Sequence, residues 1–100
     1  MRSDRTRSRG RWKLMLRRCE DPRATHYGYY GGRGIKVCER WHDFELYYTD
    51  ITRLLGPCPE GKSLDRWPDN DGDYEPGNVR WATASEQQLN SRNALQGAAK

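Results

Sequence analysis

Between Lys62 and Thr83, two short segments of β character, Lys62–Trp67 and Val79–Thr83, flank a run from Pro68 to Asn78 rich in Pro, Asp, Asn and Gly, which breaks regular structure. The segments are expected to pair as a hairpin with a long polar loop. Thr83-Ala84-Ser85-Glu86 follows with the spacing of a capping box, in which Thr83 accepts from a free backbone amide and Glu86 reaches back to the cap. A helix should therefore leave directly from the second strand.

The chain of 100 residues allows one domain, and because aliphatic residues are scarce its core must be modest and largely aromatic. Trp12, Trp41, Trp67 and Trp81 are expected as packing residues rather than base-stacking platforms. Trp12, Met15, Leu16 and Cys19 recur at helical spacing and predict a helix over 11–19, ended by Asp21-Pro22, with its other face basic. The Tyr- and Gly-rich stretch 27–34 permits tight turning or close approach to a phosphate backbone. Ile35 and Val37 suggest a short strand. Phe44, Tyr47, Tyr48, Ile51, Leu54 and Leu55 predict a second helix, with Asp43 as N-cap, Gly56 as C-cap and His42 decorating its start. The expected organisation is α+β: a basic flexible arm at 1–10, a helical and β support at 11–61, a hairpin-helix unit at 62–95 and a tail at 96–100.

The net charge of +4 is unevenly placed. Arg2, Arg5, Arg7, Arg9, Arg11, Lys13, Arg17 and Arg18 stand against Asp4 alone, while the remainder is slightly acidic. Long-range attraction to phosphate must come chiefly from that amino-terminal stretch, where arginine forks suit phosphate; the alternative is a solvated tail. Cys19, Cys38 and Cys58 contain no Cys-x-x-Cys pair, and with His26 their spacings match no common four-ligand zinc arrangement. Reduced, buried thiols and a cytoplasmic setting are the expectation. No apolar run reaches membrane-spanning length. The acidic loop fails the EF-hand pattern: counted from Asp69, the sixth residue is Tyr74 and the twelfth is Arg80.

Leu64-Asp65-Arg66, the run Asp71 to Thr83, Glu86-Gln87 and Asn90 resemble the small phage and prophage proteins of the HNH (His-Me finger) endonuclease superfamily. Tyr30 to Ile35 with Val37 to Trp41 looks like the companion block of that subfamily, and the resemblance spans about residues 12 to 93. It implies a ββα unit at 62–95 holding a divalent cation, Mg²⁺ or Mn²⁺, with Asp65 and Asn90 as ligands and Asn78 tying the hairpin loop. At the position of the general base this chain has Arg66, which cannot take a proton near neutral pH. The resemblance leaves Arg66 to engage the scissile phosphate, with Arg33 and Arg80 as further DNA contacts beside the amino-terminal cations.

Two functional classes follow. One is a metal-dependent DNA endonuclease or nickase acting on double-stranded DNA. The other is a non-catalytic DNA-binding regulator or accessory protein on a scaffold that has lost its base.

Overall fold

The computed structural model describes residues 3–89. Helix α1, Asp4–Glu20, leads into the short 3₁₀ turns Tyr27–Tyr29, Gly31–Arg33 and Glu39–His42; helix α2 is Phe44–Leu55. Strands β1, Ser63–Arg66, and β2, Val79–Ala82, pair antiparallel with Asp65 opposite Arg80, and residues 84–89 are helical. The fold is α+β, as expected, and both strands are slightly shorter than their sequence patterns.

The amino-terminal arm is not a flexible appendage: from Asp4 onward it is part of α1. Ser3 caps the helix by accepting from the Thr6 amide at 3.2 Å, and Asp4 places negative charge in the first turn. Distant residues then hold this charged stretch in place. Arg5 pairs with Glu45, the Tyr48 hydroxyl donates to Asp4 at 3.1 Å, and the guanidinium carbons of Arg5 and Arg9 lie 5.3 and 4.4 Å from the Phe44 ring centroid. Cation-π contact and ion pairing with α2 thus offset the self-repulsion that would keep a basic run unfolded. Cutting the chain at residue 10 would remove nearly half of α1 rather than a free tail.

Helix α2 follows its sequence signals. The Asp43 carboxylate accepts from the amides of Glu45 and Leu46 at 2.8 and 3.3 Å, and Gly56 closes the C-terminus at φ +75°, a conformation that favours glycine. The segment at Ile35 and Val37 forms no strand. Both side chains are buried, but the backbone makes only a parallel bridge from Val37 to Tyr74, with Tyr74 N donating to Lys36 O at 2.9 Å and Cys38 N to Tyr74 O at 3.0 Å. The 3₁₀ turn at Glu39 intervenes before a ladder can grow. Gly31 packs against the end of α1, where a Cβ would lie 2.2 Å from the Cys19 carbonyl oxygen.

The core gathers Met15 and Cys19 from α1, Ile35 and Val37, Trp41, Phe44, Tyr47 and Ile51, and Tyr74 and Val79 from the hairpin. Trp12 and Trp81 pack on its edge, but Trp67 is 46% exposed and serves as a platform for Arg80, not as core. Cys19 is buried, whereas Cys38 and Cys58 are only partly so. None of the described helices is long and apolar enough to cross a membrane.

Asp50, 1% exposed, is the polar pin of this core. Its carboxylate accepts from Arg40 Nε at 2.7 Å, Arg40 Nη2 at 3.0 Å and the buried Trp41 indole at 2.9 Å. The Arg40 hydrogen bonds hold its pKa below the usual carboxylate value against the opposing effect of burial. Asp50→Ala should cost about 2–4 kcal/mol in urea unfolding, because it strands the indole N–H and an arginine that borders the core. Since the folded-state pKa is depressed, the carboxylate's contribution is fully present above about pH 3.9 and disappears as pH falls through the lower folded value. Acid titration of stability should be correspondingly flatter in Asp50→Asn than in the unmodified chain.

Candidate metal and nucleic-acid site

The loop between β1 and β2 is held by side chains at its two ends. Asn78, at the start of β2, accepts through Oδ1 from the Asp69 amide at 2.9 Å and donates through Nδ2 to the carbonyls of Asp69 at 2.9 Å and Asp73 at 3.0 Å. Gly72 must be glycine there, since a Cβ would lie 2.8 Å from Asn78 Nδ2. Arg66, at the end of β1, is buried and donates through Nη1 to the carbonyls of Asn70 and Gly72, the latter at 3.2 Å. Its guanidinium lies 5.3 Å from the Tyr30 ring centroid and 5.5 Å from that of Tyr74. The loop acids are similarly engaged: Asp69 accepts from the Asp71 amide at 3.0 Å, and Asp73 from the Lys36 amide at 3.0 Å.

A cavity of about 80 Å³ opens beside this loop, walled by Asp65, Arg66, Asn70, Arg33, Tyr30 and Gln87. Strand register sets Asp65 against Arg80, whose Nε donates to Asp65 Oδ2 at 3.1 Å. Asn70 contributes a buried Oδ1 that has no hydrogen-bond partner among the described residues. A buried acceptor left in that state is costly, so the atom calls for a ligand. Asp65 and Asn70 are both hard oxygen donors, which suits a Mg²⁺-like ion that binds through one or two protein groups and retains water or phosphate ligands. Cationic Arg80 and Arg66 oppose such an ion and limit its charge compensation.

The hairpin leads into the helix through the predicted capping box: Thr83 N donates to Glu86 Oε1 at 2.8 Å and Glu86 N to Thr83 Oγ1 at 3.2 Å. The first of these holds the Glu86 carboxyl below its ordinary pKa. Gln87, one residue on, donates to Ser63 Oγ at 2.6 Å and to the Ala82 carbonyl at 3.1 Å, tying the helix to both strands. Asn90, the second ligand expected from sequence, lies outside the described residues.

The predicted DNA-contacting cations fall into distinct groups. Arg2 lies outside the described residues. Arg5 pairs with Glu45, Arg17 with Asp21, Arg33 with Asp71 and Arg80 with Asp65. Arg9 lies over Phe44, Arg11 over Trp81 and Arg18 over Tyr30, while Arg7 and Lys13 are exposed on α1. Arg66, expected on the phosphate, lines the cavity beside Asp65 and also holds the loop, donating to two carbonyls between two tyrosine faces. The sequence does not mark Asn70 and Gln87 as lining this cavity: Asn70 is visible there only as one of several loop polars.

No cluster of three or more His, Cys, Asp or Glu is found among the described residues, so Cys19, Cys38, Cys58 and His26 do not converge on one centre. Burial pushes the Cys19 thiol up to about 11, leaving it protonated and unreactive at neutral pH. His42 instead bonds Glu20 and the Cys38 carbonyl, and the Glu20 carboxylate raises its pKa.

Fold and site together define a small α+β protein whose two-stranded hairpin presents a carboxylate beside a clamped polar loop. Comparison with protein-family profiles, curated proteins and solved structures finds no match.

Asn78→Ala removes three hydrogen bonds from the loop and should destabilise the protein by about 1–3 kcal/mol. In hydrogen-exchange measurements the amide of Asp69 should lose protection while those of α2 keep theirs relative to global stability. Unchanged exchange at Asp69 would show that the clamp does not hold the loop.

Proposed function

We propose that this chain is an HNH-like, metal-dependent DNA endonuclease or nickase, with Asp65 anchoring a divalent cation, Mg²⁺ or Mn²⁺. The observation that carries the reading is that Asp65 and Asn70, whose Oδ1 has no hydrogen-bond partner among the described residues, line one polar cavity beside the Asn78-clamped loop. The order of strand, clamped loop, strand and helix, with Asp65 at the end of β1, supports the same reading, as does the resemblance carried by residues 64–90. A cation bound there would supply Lewis-acid activation of water and offset charge on the phosphate.

The chain's own residues have separable tasks. Asp65 supplies the charged ligand, and Arg80 orients it through the 3.1 Å bond. Asn78 and Arg66 hold the loop that carries Asn70, and Asn90 is the candidate second ligand. Arg66 provides no general base, since guanidinium stays protonated, and positioned acid-base catalysis of about 10²–10⁴-fold is absent from that position. That same observation favours the second reading, a DNA-binding regulator or accessory protein that keeps the unit as a scaffold.

Incubation of supercoiled plasmid with Mg²⁺ or Mn²⁺ separates the two. The nuclease reading expects relaxed or linear product that disappears with chelator, and a loss of at least about a hundredfold in Asp65→Asn, which keeps the acceptor for Arg80 while removing the ligand charge. An intact plasmid at all metal concentrations, with retention of the DNA in a mobility shift, would instead establish the regulator.

A further inference from the structure

A second, larger depression of about 430 Å³ runs between α1 and the hairpin, lined by Arg11, Arg18, His26, Tyr29 and Ser63 among others. It shares Tyr29, Tyr30, Leu64, Tyr74 and Gln87 with the Asp65 cavity, so the two lie side by side. Three features of this groove bear on what it could hold, beside the cation-π packing of Arg11 on Trp81 and Arg18 on Tyr30. First, Arg11 and Arg18 make no ion pair among the described residues, and Arg11 Nη1 and Arg18 Nε are buried atoms with no hydrogen-bond partner there. Second, both cations are on one wall: seven residues of α-helix set Arg11 and Arg18 about 10 Å apart along the axis of α1, two turns from one another. Third, Tyr29 lines the groove with 65% of its surface exposed, a large aromatic face with little to cover it.

We infer that this groove binds a single, unpaired DNA strand and feeds it toward Asp65, with Arg11 and Arg18 on backbone phosphates and Tyr29 stacked on a base. Guanidinium groups with no counterion among the described residues suit phosphate, to which they donate in pairs. A base within a duplex has its faces covered by its neighbours, so an exposed tyrosine face inside a groove selects a base that has left the stack. The groove volume falls in the range of small-molecule sites, enough for a nucleotide and too small for a duplex. The inference rests on the DNA reading above for the identity of the polyanion, but it requires no cleavage.

The test is fluorescence anisotropy of a labelled oligothymidylate of about 12 nucleotides, against a fully paired duplex of equal length, with the full chain and with Arg11→Gln, Arg18→Gln and Tyr29→Ala. The unmodified chain should bind the single strand at least about tenfold more tightly than the duplex. Tyr29→Ala should weaken single-strand binding by about fivefold or more, and each arginine variant should flatten its salt slope by about 0.7. Tyr29 is exposed enough for its variant to keep the fold, verified by circular dichroism, so the test survives if an arginine variant unfolds. Equal affinity for both DNAs, or single-strand binding that folded variants leave unchanged, overturns the inference. If plasmid is cut in an Asp65-dependent manner but the variants bind oligothymidylate normally, the nuclease reading stands and the groove assignment falls. If the plasmid stays intact while single-strand binding depends on the groove residues, the groove assignment stands and the nuclease reading falls.

Discussion

The Asn78 side-chain amide is the constraint on which the hairpin depends. A loop from Trp67 to Asn78, made of acids, amides, prolines and glycines, buries almost nothing apolar except Tyr74 and so cannot hold itself by packing. Asn78 uses its oxygen and both nitrogen-bound hydrogens on the Asp69 and Asp73 backbone, and Arg66 holds the opposite side through Asn70 and Gly72. With the loop fixed, Tyr74 is delivered to the core, its backbone bridges to Val37, and Asn70 is presented to the cavity beside Asp65. Local polar bonding therefore sets both the seating of the hairpin and the chemistry beside it.

Arginine serves three different purposes here, and partner chemistry decides which. Arg40 answers the buried Asp50, whose carboxylate also accepts from the Trp41 indole. Arg5 and Arg9 lie over the aromatic face of α2, turning what reads as a phosphate-seeking arm into a helix with tertiary contacts. Arg11 and Arg18 rest over Trp81 and Tyr30 but lack an anion among the described residues, and they border the depression that adjoins the Asp65 cavity. Net charge alone could not separate these cases, because ion pairs and cation-π contacts differ by neighbours that lie far apart in sequence.

Elements specified by nearby residues were legible: the Asp43 cap and Gly56 stop of α2, the reciprocal Thr83–Glu86 box and the pairing of two short strands around a polar loop. The start of α1 was not, because the Asp4–Tyr48 and Arg5–Glu45 contacts bridge separations of 44 and 40 residues. Alternation at Ile35 and Val37 reported burial correctly but not a ladder, since no extended partner lies alongside beyond Tyr74. For the candidate site, the family resemblance pointed to Asp65 and to Asn78 as the loop tie, and the Asn78 bonds are present, whereas the inward engagement of Arg66 depends on Tyr30 and Tyr74 brought together in space. That the Asn70 oxygen has no partner among the described residues is a tertiary fact with no counterpart in the sequence.

The proposal that Asp65, with Asn70 beside it, holds a divalent cation is tested most directly by amide NMR spectra of the full chain during titration with sub-stoichiometric Mn²⁺, whose paramagnetism broadens nearby resonances. The account predicts selective broadening around Asp65, Asn70 and Gln87, abolished in Asp65→Asn and competed away by Mg²⁺. Broadening centred on other exposed acids such as Glu60, or a pattern identical in Asp65→Asn, would contradict it.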